Sequence, residues 1–453
     1  MFKVTQIFFN GARKGVFSIN GKLLRTPSPF AISNIGGGAG SIDRFVSYTD
    51  MIWSQGIPLL YNFYYLTRGG MLKIDWVKSI SDNEAILDFI LRQREIFRNK
   101  ARIAGLYKEF RLEDNKPVVM LDTGSGNLVR DLAIKGLSVN QLISQFDELN
   151  EEYYNFGESH RFDILISLDY AGKQTFRNKE KENKRYVDMI EYLSNNSYNK
   201  DLLEKSLLKF KDGKYSFMLF APVHGTSPED ISRNCKEILQ MEKRHGIKFD
   251  GFAVALPYGG KKDVSSDEFY YNLGRSIRKV LEQYGDNRPI HGLGAGAANN
   301  VISLITGGVD TYDSNTPWRR AMDGSNPQSP DFSGAYSKFL IPLVNNEGIV
   351  YKNQQNALEY IKLSEIDNKV ECDCPLCSRY SINKIKNLYK SEDKEEFYLA
   401  KMVMFMHAIL QAKNVGTALI KYSNSRENLK EFASLLPPSY HHFLKKFLEN
   451  QPT

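Results

Sequence analysis

The chain has 453 residues, of which 42% are hydrophobic and 25% charged, with a formal net charge of +7. That length holds one large core or a core plus an appendage, and the composition is ordinary for a soluble globular protein. No run approaches the roughly 18 uncharged apolar residues of a membrane span, so no membrane partner is expected. The opening MFKVTQIFFNGARKG has no signal-peptide core, which makes a cytoplasmic location the expectation. The charge permits a polyanionic partner without requiring one. Three of the four cysteines fall within six residues, which argues for a metal site rather than a disulfide framework.

The first expected strand, Thr26–Ile35, ends in an apolar run and meets the glycines at 36–38. Pro58–Leu66 is rich in aromatics and predicts a second. Helical spacing over 84–105 follows, carried by Ile86, Leu87, Phe89, Ile90 and Phe97. Pro117–Asp122 is a continuous apolar run closed by an acid and a turn, Thr123-Gly124-Ser125-Gly126. Phe162–Asp169 repeats the form, and Ser216–His224 ends in His224-Gly225. Phe249–Leu256 ends in Pro257-Tyr258-Gly259-Gly260, and Pro289–Gly294 enters a Gly-rich turn that feeds an apolar helix. Gly307-Gly308 breaks that helix before Val309–Asp313, where two carboxylates, Asp310 and Asp313, stand three residues apart ahead of Thr316, Pro317, Trp318, Arg319 and Arg320.

Eight apolar strands, mostly separated by amphipathic segments, imply a parallel sheet covered on both faces. In about 320 residues they predict an α/β chain, a (β/α)8 barrel with insertions, and leave a doubly wound open sheet as the alternative. Asp122, Asp169, His224 and Asp313 each close a different strand, so a barrel would gather all four at its C-terminal mouth. Any one of these acids could equally be a helix N-cap or, for Asp313, the partner of Arg319 and Arg320.

Beyond Gly324 the texture becomes polar and irregular. Cys372, Cys374 and Cys377 then precede an apolar helix over 395–410 that carries His407. Three thiolates and one imidazole would make a closed tetrahedral zinc site, structural because no position is left for water. His407 on an apolar helix could instead be a core histidine, but a buried imidazole needs a partner and the thiolates lack a fourth ligand. Cys235 reads as a buried helix residue. The expected divisions are a barrel over 1–325, a zinc-binding subdomain over 326–412 and a helical segment over 413–453.

The motifs MLDTGSGN, SLDY, APVHG, GFAVAL, GLGAG, GVDTYDSNTPWRRAMDG and CDCPLC with a later histidine resemble, in order and spacing, the tRNA-guanine transglycosylase superfamily. That resemblance covers about Thr26 to His407. It implies a (β/α)8 barrel with a late zinc subdomain that exchanges guanine for a 7-deazaguanine. By position it implies that Asp313 is the nucleophile and Asp122 the general acid/base. Asp169, His224, Gly225 and Leu256 would contact the base, and Arg319 and Arg320 would lie in a loop that grips nucleic acid. Cys372, Cys374, Cys377 and His407 would hold the zinc ion. The chain departs from the pattern where Gly126 stands in place of a stacking aromatic, His224 in place of a glutamine and Trp318 between Pro317 and Arg319. Those departures resemble the DNA-modifying branch, which inserts 7-cyano-7-deazaguanine or a relative. DNA is therefore the expected substrate, in company with a homodimer or a partner protein that opens the duplex, and tRNA is the alternative. A noncatalytic nucleic-acid-binding subunit is a third reading, opposed by the presence of both Asp122 and Asp313. A glycoside hydrolase on the same fold is a fourth, opposed by the Cys3His set.

Overall fold

The computed structural model describes residues 1–33, 42–67, 80–81, 83–98, 116–170, 184–195, 197–213, 215–255, 266–322, 337–351, 354–366 and 370–450. Three antiparallel strands come first: β1 (Phe2–Ile7), β2 (Arg13–Ile19) and β3 (Lys22–Thr26). Eight parallel strands follow, β4 (Ser28–Ile32), β5 (Leu59–Asn62), β6 (Val119–Asp122), β7 (Ile164–Ile166), β8 (Met218–Val223), β9 (Gly251–Ala255), β10 (Ile290–Leu293) and β11 (Thr311–Asp313). They pair in chain order, and β11 pairs with β4 to close the barrel. The closed order decides for the barrel over the open sheet. Each expected strand is present in shortened form, but the second stops at Asn62 and its expected continuation, Phe63–Leu66, lies in a short helix, Phe63–Thr67.

These strands form because their apolar runs are buried on both faces, one toward the barrel axis and one toward the helices. Phe30, Leu60, Met120, Ile164, Ile166, Phe220 and Ala253 fill the barrel interior. Gly251 admits the Phe220 ring, since a Cβ there would lie 2.7 Å from it. Phe17, Ile19 and Leu24 of the N-terminal sheet pack into the same cluster, so β1–β3 stopper the barrel at the N-terminal ends of its strands. Polar links fix the stopper in place. Lys22 Nζ lies 2.6 Å from Asp163 Oδ2, and Arg13 reaches Asp310.

Asp310 belongs to this closed end, away from the mouth. Its carboxylate accepts from Arg13 Nε at 2.9 Å, Arg13 Nη2 at 3.0 Å, Arg278 Nη2 at 3.1 Å and the Ile290 amide at 2.9 Å. The acid pair read from the sequence is thus divided by β11: Asp310 anchors one end of the strand and Asp313 stands at the other.

Downstream of the barrel, a ribbon of β12 (Lys338–Leu340) and β13 (Tyr360–Lys362) packs beside a 29-residue helix, Lys394–Tyr422. Asp393 caps that helix by accepting from the amides of Glu395 and Glu396. The helix extends twelve residues past its expected end at 410, and residues 412 and 413 both lie inside it. Among the described residues, Glu395–Tyr422 is the one helix long and apolar enough to cross a membrane, and 89% of its most apolar window is buried inside the protein. It packs on the helix Thr316–Met322, on Val301–Thr306, on Ile382–Tyr389 and on β12. Helices Arg426–Leu435 and Pro438–Glu449 finish the chain, with Tyr271 meeting Phe443 and Phe447.

Candidate active site and metal cluster

At the mouth, β6 ends on Asp122 and β11 ends on Asp313. Asp169 lies three residues beyond β7, and His224 is the first residue after β8. Parallel strands all point their C-terminal ends the same way, so the four side chains come from four strands onto one face. Asp122 Oδ2 accepts from Asn62 Nδ2 at 2.9 Å and from the Gly124 amide at 3.3 Å. Asp122 keeps an edge open to the mouth, but its carboxyl is pushed up to about 7. Burial is the main cause, followed by the like charges of Asp169 and then Asp313, while the Gly124 and Thr123 amides pull the other way. A carboxyl poised near neutrality beside two other acids suits proton transfer in both directions.

Asp313 is buried, and both of its side-chain hydrogen bonds among the described residues go to Oδ1. One comes from His291 Nε2 at 3.1 Å and the other from the Gly294 amide at 3.0 Å. His224 Nε2 lies 2.7 Å from Asp169 Oδ2, an ion-pair contact off the ring's N–H axis. The His224 carbonyl accepts from Asn234 Nδ2 at 2.6 Å, which holds the β8 end against the helix Pro228–His245. Gly225 has to be glycine for this, since a Cβ would stand 2.7 Å from the Ile231 amide nitrogen. Tyr153 braces the floor from behind, its hydroxyl 2.8 Å from the carbonyls of both Leu121 and Ile166.

Leu256 lies outside the described residues. Arg319 and Arg320 are exposed on the helix Thr316–Met322, which begins three residues after Asp313, rather than in a loop. Neither pairs with Asp313 or Asp310 among the described residues. Arg320 instead has its guanidinium 6.0 Å from the centre of the Tyr360 ring. Trp318, the departure between Pro317 and Arg319, packs edge-on against Tyr48 and Phe405 and fastens this helix to the long one. Two residues of the site escaped the sequence reading, His291 and Asn62. A histidine inside an apolar run and an asparagine at a strand end carry no signal of their own.

The second cluster joins Cys372, Cys374, Cys377 and His407, whose donor atoms all lie within 4.8 Å of one another. His407 Nδ1 is 3.6, 3.5 and 3.4 Å from the three sulfurs in turn. Zinc bonds of about 2.3 Å to sulfur and 2.0–2.1 Å to nitrogen give a tetrahedral N···S edge of about 3.6 Å, so these separations fit that ion. His407 Nε2 is 2.8 Å from the Leu340 carbonyl, which places the ring proton there and leaves Nδ1 free to ligate. Phe339 stacks on the ring at 4.2 Å. The set can hold a metal ion such as zinc, and β12 orients the imidazole for it.

A family model described as "Queuine tRNA-ribosyltransferase" matches residues 73–418. A protein of that name from Clostridium tetani is 27% identical over 177 residues, 39% of this chain and 38% of the other. One from Borrelia duttonii is 22% identical over 245 residues, 54% of each chain. One from Enterococcus faecalis is 25% identical over 216 residues, 47% of this chain and 46% of the other. The chain thus spans about half or less of the length of these curated relatives.

Proposed function

Because the chain belongs to the queuine tRNA-ribosyltransferase family, we propose that it is a guanine transglycosylase, a pentosyltransferase that exchanges a base in nucleic acid for a guanine-like base. The observation that carries the reading is the convergence of Asp122, Asp169 and Asp313 at one mouth, with Asp122 held near neutrality by burial first and by the like charges of the other two second. The names of the relatives favour tRNA as the nucleic acid, ahead of the DNA suggested by the departures after Asp122. The incoming base is a 7-deazaguanine such as queuine or a precursor.

Exchange without strand breakage needs two displacements at C1′ with net retention. In the first, an Asp313 oxygen bonds to C1′ as the bond to guanine breaks, and the departing base carries off the electron pair and takes a proton from Asp122. In the second, the nitrogen of the incoming base bonds to C1′, its proton passes to Asp122, and Asp313 recovers its electron pair. Asp169, set by His224, accepts from the N–H groups of the guanine-like edge. Arg319 and Arg320 meet the phosphate backbone. The zinc ion would be held by Cys372, Cys374, Cys377 and His407 as a structural element, away from the reacting atoms.

The test is a denaturing gel of the protein mixed with tRNA in one arm and guanine-containing DNA in the other. Wild type should give a slower covalent band with tRNA, and Asp313→Asn should give none while staying folded. A band from Asp313→Asn would remove it as nucleophile. A band with DNA alone would restore the DNA reading, in which a homodimer or a partner that opens the duplex becomes the next question.

A further inference from the structure

The Asp313 carboxylate is held unevenly. His291 Nε2 and the Gly294 amide both donate to Oδ1, and no described residue donates to Oδ2. His291 is fully buried, its Nδ1 lies 2.9 Å from Thr311 Oγ1, and its ring meets that of Phe30 nearly at right angles, 5.6 Å between centres. An ionised carboxylate has no proton to give, so the proton between Nε2 and Oδ1 sits on the ring whether the imidazole is neutral or charged. Thr311 is two residues from Asp313 on the same strand, and alternation points both side chains inward. The strand that carries the nucleophile therefore also locks the ring that orients it.

Resting on the transglycosylase reading, we propose that His291 is a positioning residue that assigns Oδ2 as the attacking atom and tunes Asp313 toward departure. When Oδ2 bonds to C1′, Oδ1 becomes the ester carbonyl and its two N–H donors remain in place. When the incoming base's nitrogen bonds to C1′ and the C1′–Oδ2 bond breaks, the electron pair returns to the carboxylate and spreads onto Oδ1. There the donors meet the returning charge, as an oxyanion hole does. The same bonds hold charge back during the first attack. His291 thus gives up some nucleophilicity for a better leaving group, which shortens the life of the ester and its exposure to water.

The two half-reactions separate this role from a structural one. Full-length protein is mixed with tRNA or guanine-containing DNA without free base, and the rise of the covalent band is timed. Free guanine is then added and the decay of the band is timed. In His291→Met the decay should slow about tenfold or more, the worth of a hydrogen bond to a charged group, with formation unchanged or faster. His291→Gln, which keeps an N–H donor, should recover part of the decay rate. Formation and decay slowed together, or neither changed, would overturn the proposal. Thr311→Val, which frees the ring without touching Asp313, is measured alongside and should slow decay alone. If His291→Met does not fold, an unchanged decay in Thr311→Val overturns the proposal. A wild-type protein that forms no band would overturn this proposal and the transglycosylase reading together, whereas a normal wild-type band with unaltered variants would sink this proposal only.

Discussion

Asp122 carries two demands that pull against each other. In the unfolded chain its carboxyl ionises near 3.8, whereas in the folded protein it holds its proton until about 7. The folded state therefore binds more protons between those values, and this residue's contribution to stability falls as pH rises from about 4 to about 7. Asp122→Asn should raise stability at pH 8 by about 1–2 kcal/mol, allowing for the carboxyl's open edge, as read from urea melts. The same substitution should remove base exchange. In wild type, guanine release should decline above about pH 7, where the acid has lost its proton, and a flat profile through that region would assign the proton to another group. The two acids of β11 provide the opposite contrast. Asp310→Ala should cost about 3–5 kcal/mol because it leaves the buried charges of Arg13 and Arg278 without their partner. Asp313→Asn should change stability far less, although the two residues stand only three apart, one just before β11 and one at its end. Nothing in the local sequence separates these acids. Their roles follow from which end of the strand each occupies, and strand direction is a property of the closed barrel.

At the level of elements, the eight barrel strands were legible as short, mainly apolar runs set off by turns, several of them closed by a polar residue. The N-terminal sheet was not. β1 is mostly exposed and β2 only alternates, so neither resembles a buried strand until the barrel is there to receive Phe17 and Ile19. The helix 394–422 extends past its expected end at 410 because Gln411, Lys413 and Asn414 interrupt the apolar sequence there, yet Gln411 and Asn414 are buried. At the barrel mouth, Asp122, Asp169, His224 and Asp313 could be read as strand endings, whereas His291 gains meaning only from its 3.1 Å approach to Asp313. The metal cluster was readable in its cysteines from spacing alone. His407 was also legible as the missing fourth ligand although thirty residues separate it from Cys377, and the structure adds the Leu340 carbonyl that frees its Nδ1. Cys374→Ser should lose zinc and lower the melting temperature together, because ligand geometry and local folding are one process. Metal analysis of the purified variant beside a thermal melt checks both. Zinc retained with an unchanged melt would dissolve the assignment.

On the scale of the whole molecule, the barrel is closed at one end and open at the other, and the closure comes from the first 26 residues. Phe17, Ile19 and Leu24 are each worth about 1.5–3 kcal/mol of burial, a sum comparable with the whole net stability of a typical domain. Deleting 1–25 should therefore yield insoluble protein, or protein that binds a hydrophobic dye, even though every residue at the mouth is intact. A soluble, cooperatively melting truncation would show that the barrel carries its own floor.

Tyr312 sits between Thr311 and Asp313 and turns outward, where its hydroxyl donates to the Ala412 carbonyl at 3.0 Å. A Cβ on Gly416 would come within 3.0 Å of that hydroxyl, so the strand and the long helix touch with no room to spare. The same helix carries His407 five residues before Ala412, about one and a half turns. A three-residue strand bonded on both sides and roofed by this helix should have some of the slowest-exchanging amides in the protein. Withdrawal of the metal should be felt there as faster deuterium uptake at Thr311–Asp313, ahead of any change at β6 or β7, and peptide-resolved exchange before and after chelation would record it. The timing of that uptake would tell how firmly metal binding at Cys372, Cys374, Cys377 and His407 holds the Asp313 carboxylate still.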